Sequence, residues 1–205
     1  AFDGTVLKGG LFDLNIHCAS LDFDHIYGNG QEASKGIPLF VFNYMDYLLW
    51  SMYADKLSGK KLKESDRERR EFFKKLGCSD FGLTVFEQFY FSRTRRSLEH
   101  FFPQANVNEQ ITEYEINCFG NYAMIGSDIN SSGSNWSPKS KLDHYLDASG
   151  KISQVSVASL KLMIMMQKCK DNAYEGVCPS GQEWVYKDML EHQKRMVAIL
   201  KDQLG

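Results

Sequence analysis

The run Leu39-Phe40-Val41-Phe42-Asn43-Tyr44-Met45-Asp46-Tyr47-Leu48-Leu49-Trp50 constrains the fold of this chain more than any other stretch, because only Asn43 and Asp46 in it are strongly polar. Such a segment must be covered on nearly every side. Its length, and its continuation through Met52 and Tyr53, favour a buried helix over a strand. Pro38 suits the first turn of that helix and Gly59 its stop.

The remaining elements fall around it. Residues 1–37 read as loops with a single strand at most. Ser65 with Glu68 has the form of a capping box for a second, charged helix ending near Gly77. Phe81 to Phe91 suits a strand or a helix equally. Thr94 to Phe102 reads as extended and is stopped by Pro103; Asn106 to Asn117 reads as a loop with a short helix; Phe119 to Ile125 reads as a second strand. A Ser/Gly/Asn loop follows, and Ser137-Pro138 opens a helix to about Asp147. Two helices close the chain: a core helix marked by Val155, Leu160, Leu162, Met163, Ile164 and Met166 that ends near the Asp171–Gly181 loop, and a last one from about Gln182 to Leu204. The expected fold is mainly α with a small strand–loop–strand–helix insert that carries the polar residues. The expected organisation is one domain over 1–205: an irregular segment 1–37, helical support 38–92, the insert 93–147 and C-terminal helices 150–205.

At 205 residues, 43% hydrophobic and 24% charged, the chain suits one globular domain with a core of its own. No apolar run reaches transmembrane length, so no membrane partner is expected. No charged-then-apolar leader opens the chain, and its first residue is alanine, as in a processed or excised piece of something longer. Five scattered cysteines (Cys18, Cys78, Cys118, Cys169, Cys178) without a C-x-x-C pair argue against a zinc ribbon or a disulfide framework and for reduced thiols in a cytoplasm.

The net charge of −2 does not announce nucleic-acid binding, but the charge is unevenly placed. Lys56 to Lys75 holds nine basic residues against four acidic ones. That stretch is a phosphate-binding face or, equally, a solvated helix with i,i+4 pairs. Arg93, Arg95 and Arg96 lead directly into Glu99-His100, and their place beside that pair makes them candidates for contacting phosphate.

Glu99-His100 is followed by Gly120-Asn121 on an apolar run and by Asn130, nine positions after Asn121. Cleaving a phosphodiester needs a base for the attacking water and positive charge near the phosphate. Magnesium keeps several waters and needs only one or two protein oxygens, which Glu99 and Asn130 can supply. An imidazole with an ordinary pKa of ~6.5 is available as His100's neutral base form. Asn121 can hold that histidine in position. Neighbours on a strand point to opposite faces, so Glu99 and His100 work together only where the strand ends or bends, as Pro103 suggests it does. Asp24-His25 is a similar pair, but nothing comparable follows it, and it reads as incidental.

On these residues the stretch from Ser97 to Tyr145 resembles the HNH (ββα-metal, His-Me finger) nucleases. More narrowly, it is similar to the C-terminal nuclease domain of GmrSD-type, modification-dependent restriction endonucleases. The likeness is carried by Glu99-His100-Phe101-Phe102-Pro103-Gln104, by Gly120-Asn121-Tyr122-Ala123-Met124-Ile125, by Asn130 and Asn135 in the loop, and by Lys141 and Tyr145 on the helix. The step from Asn121 to Asn130 also resembles the HNH domain of RNA-guided CRISPR nucleases, and the Asn43–Trp50 helix resembles a segment ahead of the motif in the GmrSD family.

The resemblance implies His100 as general base, Glu99 and Asn130 as ligands of Mg²⁺ (or Mn²⁺), and Asn121 as the brace of His100. It further implies Lys141 as a phosphate contact or loop support, with Lys139 beside it, Gln104 in a supporting role and Asn135 as a substitute for Asn130. It implies DNA as partner, a bacterial cytoplasm, and an endonuclease or nickase of a restriction or anti-phage system. The family's nucleotide-hydrolysing N-terminal domain has a motif that does not occur here, so that part would lie in another segment or a partner subunit. The readings that compete are a non-catalytic DNA-binding module and a helical interaction domain; RNA remains open as the substrate, since a scissile phosphate does not distinguish the sugar.

Overall fold

The computed structural model describes residues 39–57, 62–80, 89–91, 95–104, 111–126, 135–149, 152, 159–175 and 182–204. Asp24-His25, Arg93 and Asn130 lie outside them. The described part is mostly helical and carries a two-stranded antiparallel sheet.

Helix α1 spans Leu39–Leu57 and buries Val41, Phe42, Met45, Leu48 and Leu49. Helix α2 spans Leu62–Leu76; it buries Phe72, Phe73 and Leu76 and exposes Arg67, Arg70, Lys74 and Lys75. It starts earlier than expected, so Ser65 lies inside the helix and does not cap it. Its end is a Schellman motif, with the Cys78 amide donating to Phe73 O (3.2 Å) and the Gly77 amide to Lys74 O (3.1 Å). Gly77 has φ of 83°, in the left-handed region where a side chain is strained.

Strand β1 spans Arg95–His100 and β2 spans Tyr122–Gly126. They pair with Glu99 opposite Ala123 and His100 opposite Tyr122, and a bulge at Arg96 separates Arg95 from the regular ladder. Between the strands lies the short helix α3, Glu113–Ile116. A reciprocal capping box starts it: the Glu115 carboxylate accepts from the Thr112 amide and hydroxyl, and the Glu115 amide donates to Thr112 Oγ1. Phe119–Asn121, expected as strand, is a 3₁₀ turn that leads into β2.

Helix α4, Pro138–Tyr145, is capped by Ser137 with proline at its first turn. Helix α5, Leu160–Lys170, is capped by Ser159 and buried along most of its length, packing on α1, α4 and β2. A π-helical turn, Asp171–Glu175, continues it. Helix α6, Tyr186–Leu204, packs on the 3₁₀ turn, α1 and α2. At Gly120 a Cβ would stand 1.9 Å from Met189 O, so the contact with α6 exists only because that residue has no side chain.

Cys78, Cys118 and Cys169 are buried free thiols. No described helix is long and apolar enough to cross a membrane.

Candidate active site

The strand β1 ends at His100, and the chain bends at Phe101-Phe102, both of which are buried in the core. Phe101 is fully buried against Trp184, with ring centroids 5.2 Å apart. Alternation along β1 sends Glu99 and His100 to opposite faces. Their surroundings differ accordingly.

Glu99 is buried and its Oε1 lies 2.5 Å from Lys141 Nζ. Lys141 also donates to the carbonyl oxygens of His100 and Phe101, so one ammonium on α4 ties that helix to the end of β1. Burial pushes the Glu99 carboxyl up and the Lys141 ammonium down, while their mutual attraction opposes both shifts. The pair persists because each charge is satisfied by the other.

His100 is half-buried. Its ring lies over Tyr122, the residue opposite it in the ladder, with centroids 4.0 Å apart. His100 Nε2 is 3.0 Å from Asn117 Oδ1, which also accepts from the Tyr122 hydroxyl at 2.9 Å. Burial pushes the imidazole down to about 4, the Asn117 hydrogen bond works against that shift, and the Lys141 charge adds to it. At neutral pH the ring is therefore uncharged, and the same burial weakens it as a base.

Asn121 does not brace the imidazole, contrary to expectation. It is fully buried; its Oδ1 accepts from the Phe102 amide (2.8 Å), and its Nδ2 donates to Phe102 O and Ile116 O (2.9 Å each). Its own carbonyl accepts from the Phe101 amide at 2.9 Å. Asn121 thus fixes the main chain that leaves His100, and the residue on the ring is Asn117. The sequence reading passed over Asn117 as part of a loop; the only available signal was a polar residue just after a short helix and before an apolar turn.

Arg95 is a second correction. It was a candidate for phosphate, but it is 4% exposed and ion-paired with Asp46 of α1, and it donates to Met124 O (3.2 Å). Its guanidinium also lies over Phe89 and Phe91, 5.7 and 5.8 Å from their ring centroids. Lys141 likewise does not present its ammonium to solvent; it supports the site from beneath. Lys139 lies near the surface of α4, bonded to Asp143 (2.6 Å) and Tyr174 (3.0 Å). Gln104 and Asn135 are exposed, and Arg96 belongs to β1 at the bulge.

A residue that sequence gave no reason to choose sits underneath. Lys161 of α5 is fully buried and donates to Phe119 O (2.8 Å) and Tyr122 O (2.5 Å), pinning both ends of the 3₁₀ turn. Burial pushes its ammonium down to about 7.

Among the described residues no group of three His, Cys, Asp or Glu side chains stands together as a metal cage. Magnesium does not require one, since it binds through one or two carboxylates and keeps its waters. Glu99 is a single buried carboxylate, already paired with Lys141 and directed to the face of β1 opposite His100. No protein-family model, curated protein or solved structure gives a significant match to this chain.

Proposed function

We propose that the chain is a metal-dependent DNA endonuclease or nickase of the HNH type, with His100 as general base. The observation that carries the reading is the setting of His100: a half-buried imidazole at a strand end, with Nε2 held by Asn117 and no second side-chain bond among the described residues. Such a ring is in its base form at neutral pH, and bound cation and substrate would have to raise its affinity for the proton towards the working range.

The order hairpin then helix, with α4 tied to the end of β1 through Lys141, supports the ββα-metal reading of residues 95–145. Glu99 would hold the divalent cation, with Asn130 as the second ligand expected from the sequence. The cation would stabilise charge on the phosphate as the bond breaks. Lys139, near the surface of α4, remains a candidate for contacting phosphate, and Arg96 is one from its place in the sequence. A role in restricting foreign or modified DNA rests on the resemblance of residues 97–145 alone.

Incubation of supercoiled plasmid with the protein, with and without Mg²⁺ or Mn²⁺, tests the proposal. The expected result is metal-dependent nicking or linearisation that falls by about 100-fold or more in His100→Ala. Equal cutting by that variant would exclude His100 as the base. A second reading draws on the Glu99–Lys141 ion pair, which already satisfies the carboxylate without a metal: a DNA-binding module that does not cut. Salt-sensitive binding with no cleavage under either metal would favour it.

A further inference from the structure

We infer that α2 and α6 present an outward basic surface that takes the phosphate backbone of duplex DNA, apart from the residues proposed to cut it. The inference rests on the nuclease reading only for the choice of DNA as the nucleic acid.

The total charge of −2 conceals a sorting of charges on these two helices. On α2, Arg67, Arg70 and Lys74 recur at steps of three and four, so they share one face, and all are exposed; Phe72, Phe73 and Leu76 are buried on the other side. On α6, Lys187, Lys194 and Lys201 recur every seven residues and are exposed, with Met189, Met196 and Leu200 buried opposite them.

Most acids of the same stretches are drawn to partners within the fold. Asp66 pairs with Arg69 (3.1 Å), which also holds Asp80. Glu191 pairs with Arg195 at 3.5 Å. Asp188 accepts from the Val185 amide (3.0 Å) and from Asn172 Nδ2 (3.3 Å). Two half-buried arginines thus absorb carboxylates, and among the described residues no ion pair holds any of the six outward cations. The exposed acids on the two helices are Glu71 and Asp202, so cations outnumber acids on the outward faces. The helices meet at the end of α2, where a Cβ on Gly77 would stand 2.5 Å from Arg195 Cζ. Arg195 adjoins Lys194, so the contact falls beside the end of the α2 series and the middle of the α6 series.

The spacing and the surroundings select the partner. Arg67 to Lys74 covers about 10 Å of helix axis and Lys187 to Lys201 about 21 Å. Each strand of a duplex offers a phosphate about every 3.4 Å along its axis, so a straight series of cations meets several. Single-stranded bases stack on aromatic faces, and a membrane surface takes apolar side chains into its headgroups. Among the described residues the exposed large apolar side chains (Leu39, Trp50, Tyr90, Phe91 and Tyr174) all lie on other elements. The two stripes therefore offer charge without a stacking or inserting group, and such contacts position a duplex without reading its sequence.

The test is fluorescence anisotropy of a labelled duplex of about 20 base pairs, titrated with the full chain in chelator, between 50 and 200 mM salt. The parent is expected to lose about 1,000-fold in affinity across that range, as six phosphate contacts imply. Arg67→Gln/Arg70→Gln/Lys74→Gln and Lys187→Gln/Lys194→Gln/Lys201→Gln should each lose only about 40-fold. Arg67→Lys/Arg70→Lys keeps the charge and should follow the parent. A single strand of the same length should bind more weakly than the duplex. Urea midpoints check that the variants fold; should a triple variant fail, the single reversals Arg70→Glu and Lys194→Glu carry the same comparison.

An unchanged salt dependence in the triple variants, or a change confined to one helix, would overturn the inference. Tighter binding to the single strand would do the same, as would variants that lose binding to phosphatidylserine vesicles and not to the duplex. Plasmid cutting with Mg²⁺ separates this inference from the nuclease reading. A parent that binds as expected and does not cut leaves the surface standing and ends the nuclease reading; a parent that cuts while its variants share its salt dependence does the reverse.

Discussion

The two ends of β1 treat their polar residues in opposite ways. At its start Arg95 is sealed into the core against Asp46, which also accepts from the Lys161 amide at 2.8 Å. At its end His100 is half-buried, with one nitrogen bonded and the ring uncharged. The first end ties α1, α5 and the hairpin together; the second leaves a ring half-buried with a single side-chain bond. Residue type alone does not separate these roles, since an arginine near a proposed phosphate site looks more functional than a histidine after a glutamate. Burial and partner decide.

The largest expected effect falls at the sealed end. Asp46→Ala leaves the Arg95 guanidinium buried without its counter-charge and should lower stability by about 3–5 kcal/mol, read as a shift of the urea midpoint. A loss below about 1 kcal/mol would mean that Arg95 escapes to solvent, and the contrast between the two ends would collapse. Asn121→Ala comes next, at about 3 kcal/mol, because it strands a buried amide and two carbonyls at once. Its cost should appear in stability first, whereas His100→Ala should appear mainly in cutting.

The pH dependence sharpens the contrast at the other end. Burial holds the folded His100 imidazole at about 4, below its ordinary 6.5, so below pH 6.5 the unfolded chain binds the proton first. The contribution of this group to stability is full above pH 6.5 and is lost as pH falls from there towards 4. His192 of α6, buried beside Trp184 and also pushed down by burial, acts in the same direction. Urea midpoints at a series of pH values should therefore fall on acidification, and His100→Ala should remove part of the slope. An unchanged slope would show that His100 contributes none of it. The smallest effect is Lys139→Ala, a partly exposed i,i+4 pair on α4, at less than about 1 kcal/mol by the same denaturation measurement.

Much of the helical frame was legible because it is written locally. The apolar run of α1, the Gly77 stop of α2, the Ser137-Pro138 start of α4 and the strand stopped ahead of Pro103 all depend on neighbours in sequence. The errors have a common physical cause. Ser65–Glu68 and Thr112–Glu115 are equivalent as sequence patterns, and only packing shows that the second caps a helix while the first lies inside one. Phe119–Asn121 has the composition of a strand but is turned by α6, whose Gln193 Oε1 accepts from the Gly120 amide at 3.0 Å. Arg95 finds its partner on α1, far away along the chain, and no local pattern marks that pairing. Within the site, Glu99 and His100 were legible as a pair at a strand end, while Asn117 was hidden because its meaning comes from a side chain across the turn.

The missing side chain at Gly120 has a consequence for how this chain can change over time. Because the main chain of α6 occupies the space a Cβ would need, the hairpin and the C-terminal helix cannot drift independently. A larger residue at 120 would be tolerated only alongside a shift at Met189, and a hairpin transplanted without α6 would lose the wall that shapes its turn. The turn that leads into β2 and the C-terminal helix are thus fitted to one another at the level of the main chain.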